Sequence, residues 1–138
     1  MLRCSTRYRL LLSVILAPLL LAPWAWAGQV LSGDEIRDLV TDKTTGCLKE
    51  KDQSTCTTYF SPEGVMKRRM HDTGARKDAR WFVDDADRLC ILWPKRTKAL
   101  CLVVTENEDG TYALTKRTED GKHVSSITEF GDGNTEGL

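Results

Sequence analysis

Leu89-Cys90-Ile91-Leu92-Trp93-Pro94-Lys95-Arg96-Thr97-Lys98-Ala99-Leu100-Cys101-Leu102-Val103-Val104-Thr105 is the stretch that decides the fold class. Two apolar runs flank a polar turn that contains a proline. Setting residue 90 against 101 also sets Leu89 against Leu102 and Leu92 against Ala99. Alternation then puts Leu89, Ile91, Leu100, Leu102 and Val104 on one face. Cys90, Leu92, Ala99, Cys101 and Val103 fall on the other. A sheet wetted on one side alternates apolar with polar residues. Here both faces are apolar, so the two runs read as central strands, one face covered by a helix or by the sheet curling over.

Working outward, short β-prone runs alternate with turn signals. Thr57 to Phe60 precedes Ser61-Pro62-Glu63-Gly64, a turn with Pro at its second position and Gly at its fourth. Val65 to Met70, Arg80 to Val83, Thr111 to Thr115 and His123 to Phe130 read as further strands. Asp72-Thr73-Gly74, Asp84-Asp85-Ala86-Asp87, Asn107 to Gly110 and Glu119-Asp120-Gly121-Lys122 turn the chain between runs. Strands at this spacing with tight turns predict an antiparallel meander. Upstream, Ser32 and Glu35 have the spacing of a helix capping box, and Leu31 and Ile36 that of a hydrophobic staple. Ile36, Leu39 and Val40 make one apolar face. Thr44, Thr45 and Gly46 continue a helix poorly, so it should stop near Asp42. The expected class is therefore α+β, an N-terminal helix packed on a meander of six or seven strands. A small closed β-barrel, lipocalin-like, is the alternative.

The first residues carry Arg3, Arg7 and Arg9 and no acid, then an apolar run from Leu10 to Leu21, then Ala25-Trp26-Ala27. Basic, apolar and small residues in that order predict a signal peptide over residues 1–27, cut after Ala27. The position after the cut is Gly28, not the cysteine a lipid anchor needs. The expected division is a signal peptide at 1–27, one globular domain at 28–130 and a flexible tail at 131–138. Removing the signal leaves 17 basic against 20 acidic residues, a net charge of −3. That balance argues against nucleic acid as a partner. It also leaves four cysteines, Cys47, Cys56, Cys90 and Cys101. An even number in an exported chain predicts disulfides. Cys47–Cys56 and Cys90–Cys101 are the expected pairs, with crossed pairing the alternative. No Cys-x-x-Cys occurs, and the cysteine spacings are too long for a zinc site.

Catalytic signals are sparse. His71 and His123 remain, and Ser61, Ser125 and Ser126 lie outside any Gly-x-Ser-x-Gly elbow. Both histidines read as solvated surface residues. Asp84, Asp85 and Asp87, and Glu106, Glu108 and Asp109, are dense in acid but fail the calcium-loop spacing, so polar hairpin loops are expected and no metal or other cofactor is. Lys67, Arg68, Arg69, Arg76, Lys77 and Arg80 form a basic segment that either binds an anionic partner or solvates an edge strand. Trp81 and Phe82 point to opposite faces of a regular strand, so one of them is expected to be exposed. The candidate binding residues are Trp81, Phe82, Lys67, Arg69 and Arg80.

The opening Leu31-Ser32-Gly33-Asp34-Glu35-Ile36, the Tyr59…Pro62-Glu63-Gly64 turn and Trp81 ahead of Leu89-Cys90-Ile91-Leu92-Trp93 form a wider pattern, with Cys101, Tyr112 and Gly133-Asn134 after them. In these the chain resembles a family of small exported proteobacterial proteins whose domain has no assigned function. The resemblance implies a Gram-negative periplasmic setting and carries no activity and no site residue. Two functions are expected in order. The first is a non-enzymatic periplasmic protein that docks onto a protein partner as inhibitor, immunity or accessory protein. The second is a binder of a small apolar or anionic ligand. In either, the membrane is met only through the cleaved signal.

Overall fold

The hairpin of residues 89–105 pairs in the predicted register: Leu89 lies opposite Leu102, Cys90 opposite Cys101 and Ile91 opposite Leu100. The computed structural model describes residues 28–138, so the expected signal peptide at 1–27 lies outside the described residues. In chain order the elements are β1 (Gln29–Val30), α1 (Gly33–Val40), β2 (Lys43–Lys49), β3 (Thr55–Phe60), β4 (Val65–Met70), β5 (Arg76–Val83), β6 (Leu89–Leu92), β7 (Leu100–Glu106), β8 (Tyr112–Lys116) and β9 (His123–Asp132). Strands β2 to β9 form an antiparallel meander, and β9 returns to pair with β2. The sheet is thereby closed into an eight-stranded barrel. Strand β6 is only four residues long, and β1 pairs with β7 at Thr105 and Glu106, beyond the reach of β6.

Closure corrects the expected α+β class. The chain is the alternative, a small closed barrel, and the helix does not lie against a face of the sheet. The cause is local. Thr44, Thr45 and Gly46 end the helix as expected, but they then begin β2, the strand that pairs with both β3 and β9. Threonine is a strand former, and the isolated glycine marks a site of close backbone approach. A Cβ on Gly46 would lie 2.7 Å from Thr128 Oγ1. There β9 bulges, the pairing shifting between Gly46 and Cys47.

Helix α1 keeps its predicted start. The Ser32 hydroxyl accepts from the Glu35 N–H, and the Glu35 carboxylate accepts from the Ser32 N–H, completing the capping box. The Gly33 N–H donates to Asp87 Oδ1 at 2.8 Å, tying the helix to the β5–β6 loop. Ile36 and Val40 are fully buried in a cluster with Phe60, Met66, Trp81, Leu89, Val104, Leu114 and Ile127. These belong to the barrel end where β2 starts and β3 finishes. The helix therefore plugs one end of the barrel, and the nearer half of the interior is packed solid.

Both expected disulfides form, Cys47–Cys56 and Cys90–Cys101. Each joins directly opposed residues of neighbouring strands. Cys47 and Cys56 share the inward face of Thr45 and Thr58, both nearly inaccessible. Cys90 alternates with the inward Leu89 and Ile91, so the second bridge lies on the outer face. Residues 131–138, expected as a flexible tail, contact the barrel. The Gly133 N–H donates to the Asp42 carbonyl, Thr44 Oγ1 donates to the Gly133 carbonyl, and Arg69 pairs with Glu136 at 2.6 Å. Among the described residues no helix is long and apolar enough to cross a membrane.

Candidate ligand cavity at the barrel mouth

The end opposite α1 is open. There the β2–β3, β4–β5 and β6–β7 connections and the start of β9 border a half-open cavity of about 1040 Å³. Met70, Ile91, Leu100 and Leu102 supply apolar wall, and Trp93 stands where β6 ends. The strand pattern explains which side chains face in. Met66 is fully buried and opposes Phe60 and Ala79. Two residues on, Arg68 must face inward as well, opposite Thr58 on β3 and Lys77 on β5. Lys67 and Arg69 point outward.

Arg68 is the unusual group of this cavity. Its Nε donates to Thr58 Oγ1 at 3.2 Å, and its guanidinium carbon lies 5.2 Å from the centre of the Trp93 ring. Among the described residues it has no carboxylate partner. Burial pushes its guanidinium down to about 10, so it remains charged at neutral pH. Around the rim Lys49, Arg76, Lys77, Lys95 and Arg96 outnumber Asp52, Asp72 and Asp78. A ligand pocket of this kind, apolar with a few placed polar groups, typically encloses about 300–1,000 Å³.

The candidate binding residues from the sequence are divided by the barrel. Trp81 packs at the closed end, its ring edge-to-face with Phe60 at 5.7 Å and its Nε1 donating to the Ser61 carbonyl at 3.0 Å. It does not reach the cavity. Phe82 is the exposed member of the pair, on the outer face with Arg80. Lys67 and Arg69 share that outer side, opposite Asp78 and Arg76. Strand β4 is paired on both sides, so the edge-strand reading of its cations does not hold. Arg68 was legible: it sits midway between Met66 and Met70 in a period-two pattern, which places it with them.

His123 and Ser126 come close to a triad. Ser126 Oγ is 3.1 Å from His123 Nε2, and His123 Nδ1 is 3.5 Å from Glu50 Oε1. The same Nε2 lies 2.9 Å from the Ser125 carbonyl oxygen. A carbonyl only accepts, so Nε2 carries a hydrogen and cannot take one from Ser126. His71 is bracketed by Thr55 Oγ1 and Thr57 Oγ1, both at 2.8 Å, on the outer surface. The described residues of metal-ligating type that cluster are Asp84, Cys90 and Cys101. Their two sulfurs are bonded to each other, so they present no thiolate pair.

The acidic loops bind their own backbone. Asp109 accepts from the Thr111 N–H and hydroxyl. Asp84 accepts from the N–H groups of Ala86 and Arg88 and from the Arg88 side chain at 2.9 Å. The Arg88 guanidinium, chiefly, holds the Asp84 carboxyl below its ordinary value of 3.8. A depressed folded-state value contributes stability that is complete above the ordinary value and is lost as pH falls toward the folded one. Asp84→Asn should therefore lower the urea midpoint at about pH 6, and the gap to the parent should shrink by about pH 3. A gap that does not change with pH would show that the carboxylate charge is not what holds this turn.

No protein-family model, curated protein or solved structure matches the chain.

Proposed function

We propose that this protein is a non-enzymatic binder of a small molecule with an apolar body, held in the open half of the barrel. The observation that carries the reading is the asymmetry of the interior. Helix α1 and the cluster around Met66, Trp81 and Val104 fill one half, whereas at the other end Arg68, Met70, Trp93 and Leu100, with Ile91 and Leu102 of the cluster, border a half-open cavity of about 1040 Å³. Ligand pockets are clefts or cavities of about 300–1,000 Å³, lined by apolar residues with a few placed polar groups, and this half-open hollow has that size and lining. The two disulfides support an oxidising compartment. The periplasm, and kinship with the small exported proteobacterial proteins the sequence resembles, belong to the same proposal.

The protein-partner reading, placed first from the sequence, rests on the outer face, where Phe82 is 44% exposed beside Arg80. Val30 and Phe130 are exposed as well, but single exposed apolar side chains are ordinary on a protein surface and mark an interface only as part of a larger patch. The cavity therefore ranks first.

Titration with the neutral fluorophore N-phenylnaphthylamine tests the proposal. Saturable, one-to-one enhancement is expected, and Leu100→Trp, which fills the cavity from its wall, should weaken it at least about tenfold. Enhancement that never saturates, or that survives Leu100→Trp in a variant of native near-ultraviolet dichroism, would overturn the reading.

A further inference from the structure

We infer that the ligand is a carboxylate-bearing amphiphile, its anionic group seated on Arg68 and its apolar body against Ile91, Leu100 and Leu102. This rests on the cavity reading above and adds to it the charge of the occupant.

Three features of Arg68 converge. The first is its isolation. A guanidinium drawn partly out of water, as the half-buried Arg68 is, normally has a carboxylate or several acceptors around it, because desolvating a charge is costly unless it is paired. Here Thr58 Oγ1 takes one donor, and no carboxylate among the described residues takes the rest. An anionic ligand is the partner the site lacks. The second feature is the direction of the free donors. Nε is the atom occupied, which leaves the two terminal nitrogens for a pair of parallel hydrogen bonds. That fork matches the two oxygens of a carboxylate. The Trp93 ring adds a cation–π contact at 5.2 Å to the Thr58 hydrogen bond, so Arg68 is held at two points.

The third feature is depth. Arg68 lies two residues along β4 from Met70, the last residue of that strand toward the mouth, or about 7 Å at the usual strand rise. Beyond it toward α1 stands the packed cluster of Met66 and Trp81. A carboxylate bound there has apolar surface beside it, since Ile91, Leu100 and Leu102 line the same cavity. The rim adds discrimination before binding, since its cations outnumber its carboxylates while the chain beyond residue 27 carries a net negative charge. A mouth of net positive charge attracts anions and repels cations of the same shape.

Competition between octanoate and octanol for the site holding N-phenylnaphthylamine separates charge from apolar bulk. At neutral pH octanoate is expected to displace the fluorophore at a concentration about tenfold lower than octanol, the increment of a charge-assisted hydrogen-bonded pair. Arg68→Met should abolish that preference, so that octanoate no longer displaces the fluorophore at a lower concentration than octanol. Arg68→Lys keeps the charge without the fork and should retain only part of the preference, which preserves the test should the methionine variant fold poorly. Equal displacement by octanoate and octanol in the parent protein would overturn the inference while leaving the cavity reading standing. An octanoate preference that survives Arg68→Met would overturn it too. Absence of saturable fluorophore binding would instead remove the cavity reading and this inference together.

Discussion

Trp81→Ala is expected to lower the unfolding free energy by about 3–5 kcal/mol, the range for truncating a large buried aromatic. Trp81 is 9% exposed, meets Phe60 edge-to-face and spends its indole N–H on the Ser61 carbonyl. Truncation opens a void at the plugged end, loses the aromatic pair and removes one of two hydrogen bonds to that carbonyl, which keeps the Gly64 N–H. A domain of this size holds about 5–15 kcal/mol in all, so the variant should sit close to its unfolding threshold. Urea unfolding followed by far-ultraviolet dichroism measures the loss. Affinity for N-phenylnaphthylamine, measured well below the unfolding midpoint, should stay within about twofold of the parent. A loss of stability under about 1 kcal/mol would mean that the closed end relaxes around the void. A selective loss of affinity would return Trp81 to the site where sequence alone had placed it.

Removing the inner disulfide has the next largest effect. Cys47→Ala with Cys56→Ala opens a bridge between residues nine apart in sequence. Loop-closure entropy for so short a loop is worth about 2–3 kcal/mol. The bridge ties β2 to β3, and β2 is the strand whose pairing with β9 closes the barrel. The loss should therefore appear as easier opening of that seam. Amide exchange is expected to speed up first along β2 and β9, ahead of β6 and β7, which keep the outer bridge. Uniform acceleration across all strands would contradict a seam that opens locally.

Most of the fold was legible strand by strand. The hairpin register at Cys90 and Cys101 followed from period-two alternation, and the capping box at Ser32 and Glu35 from spacing alone. The difficulty was Lys43–Lys49, whose threonines and glycine sit directly after the helix. Their weakness as helix continuers was read correctly and their strength as strand formers was passed over. One missing strand hides a barrel, because without β2 the meander has two free edges and the helix becomes the natural cover for its apolar face. The site was half legible for a related reason. The basic segment of β4 and β5 stood out by charge, but once the sheet is closed alternate residues go to opposite sides. Lys67, Arg69 and Arg80 went to solvent and Arg68 went inside. Trp81 and Phe82 were rightly expected to part, but the buried one packs into the plugged end, a consequence of α1 closing that end and not the other. The cations around the mouth gather from β2, β5 and the β6–β7 connection, so only Arg76 and Lys77 stood in the basic segment of the sequence.

The central claim is that the open half of the barrel is the binding site. Methyl chemical-shift mapping during titration with octanoate tests it most directly. The account predicts saturable shifts at Met70, Ile91, Leu100 and Leu102, with Val40, Leu114 and Ile127 at the plugged end unchanged. Shifts confined to Leu92 and Val103 on the outer face, with the cavity methyls still, would contradict it.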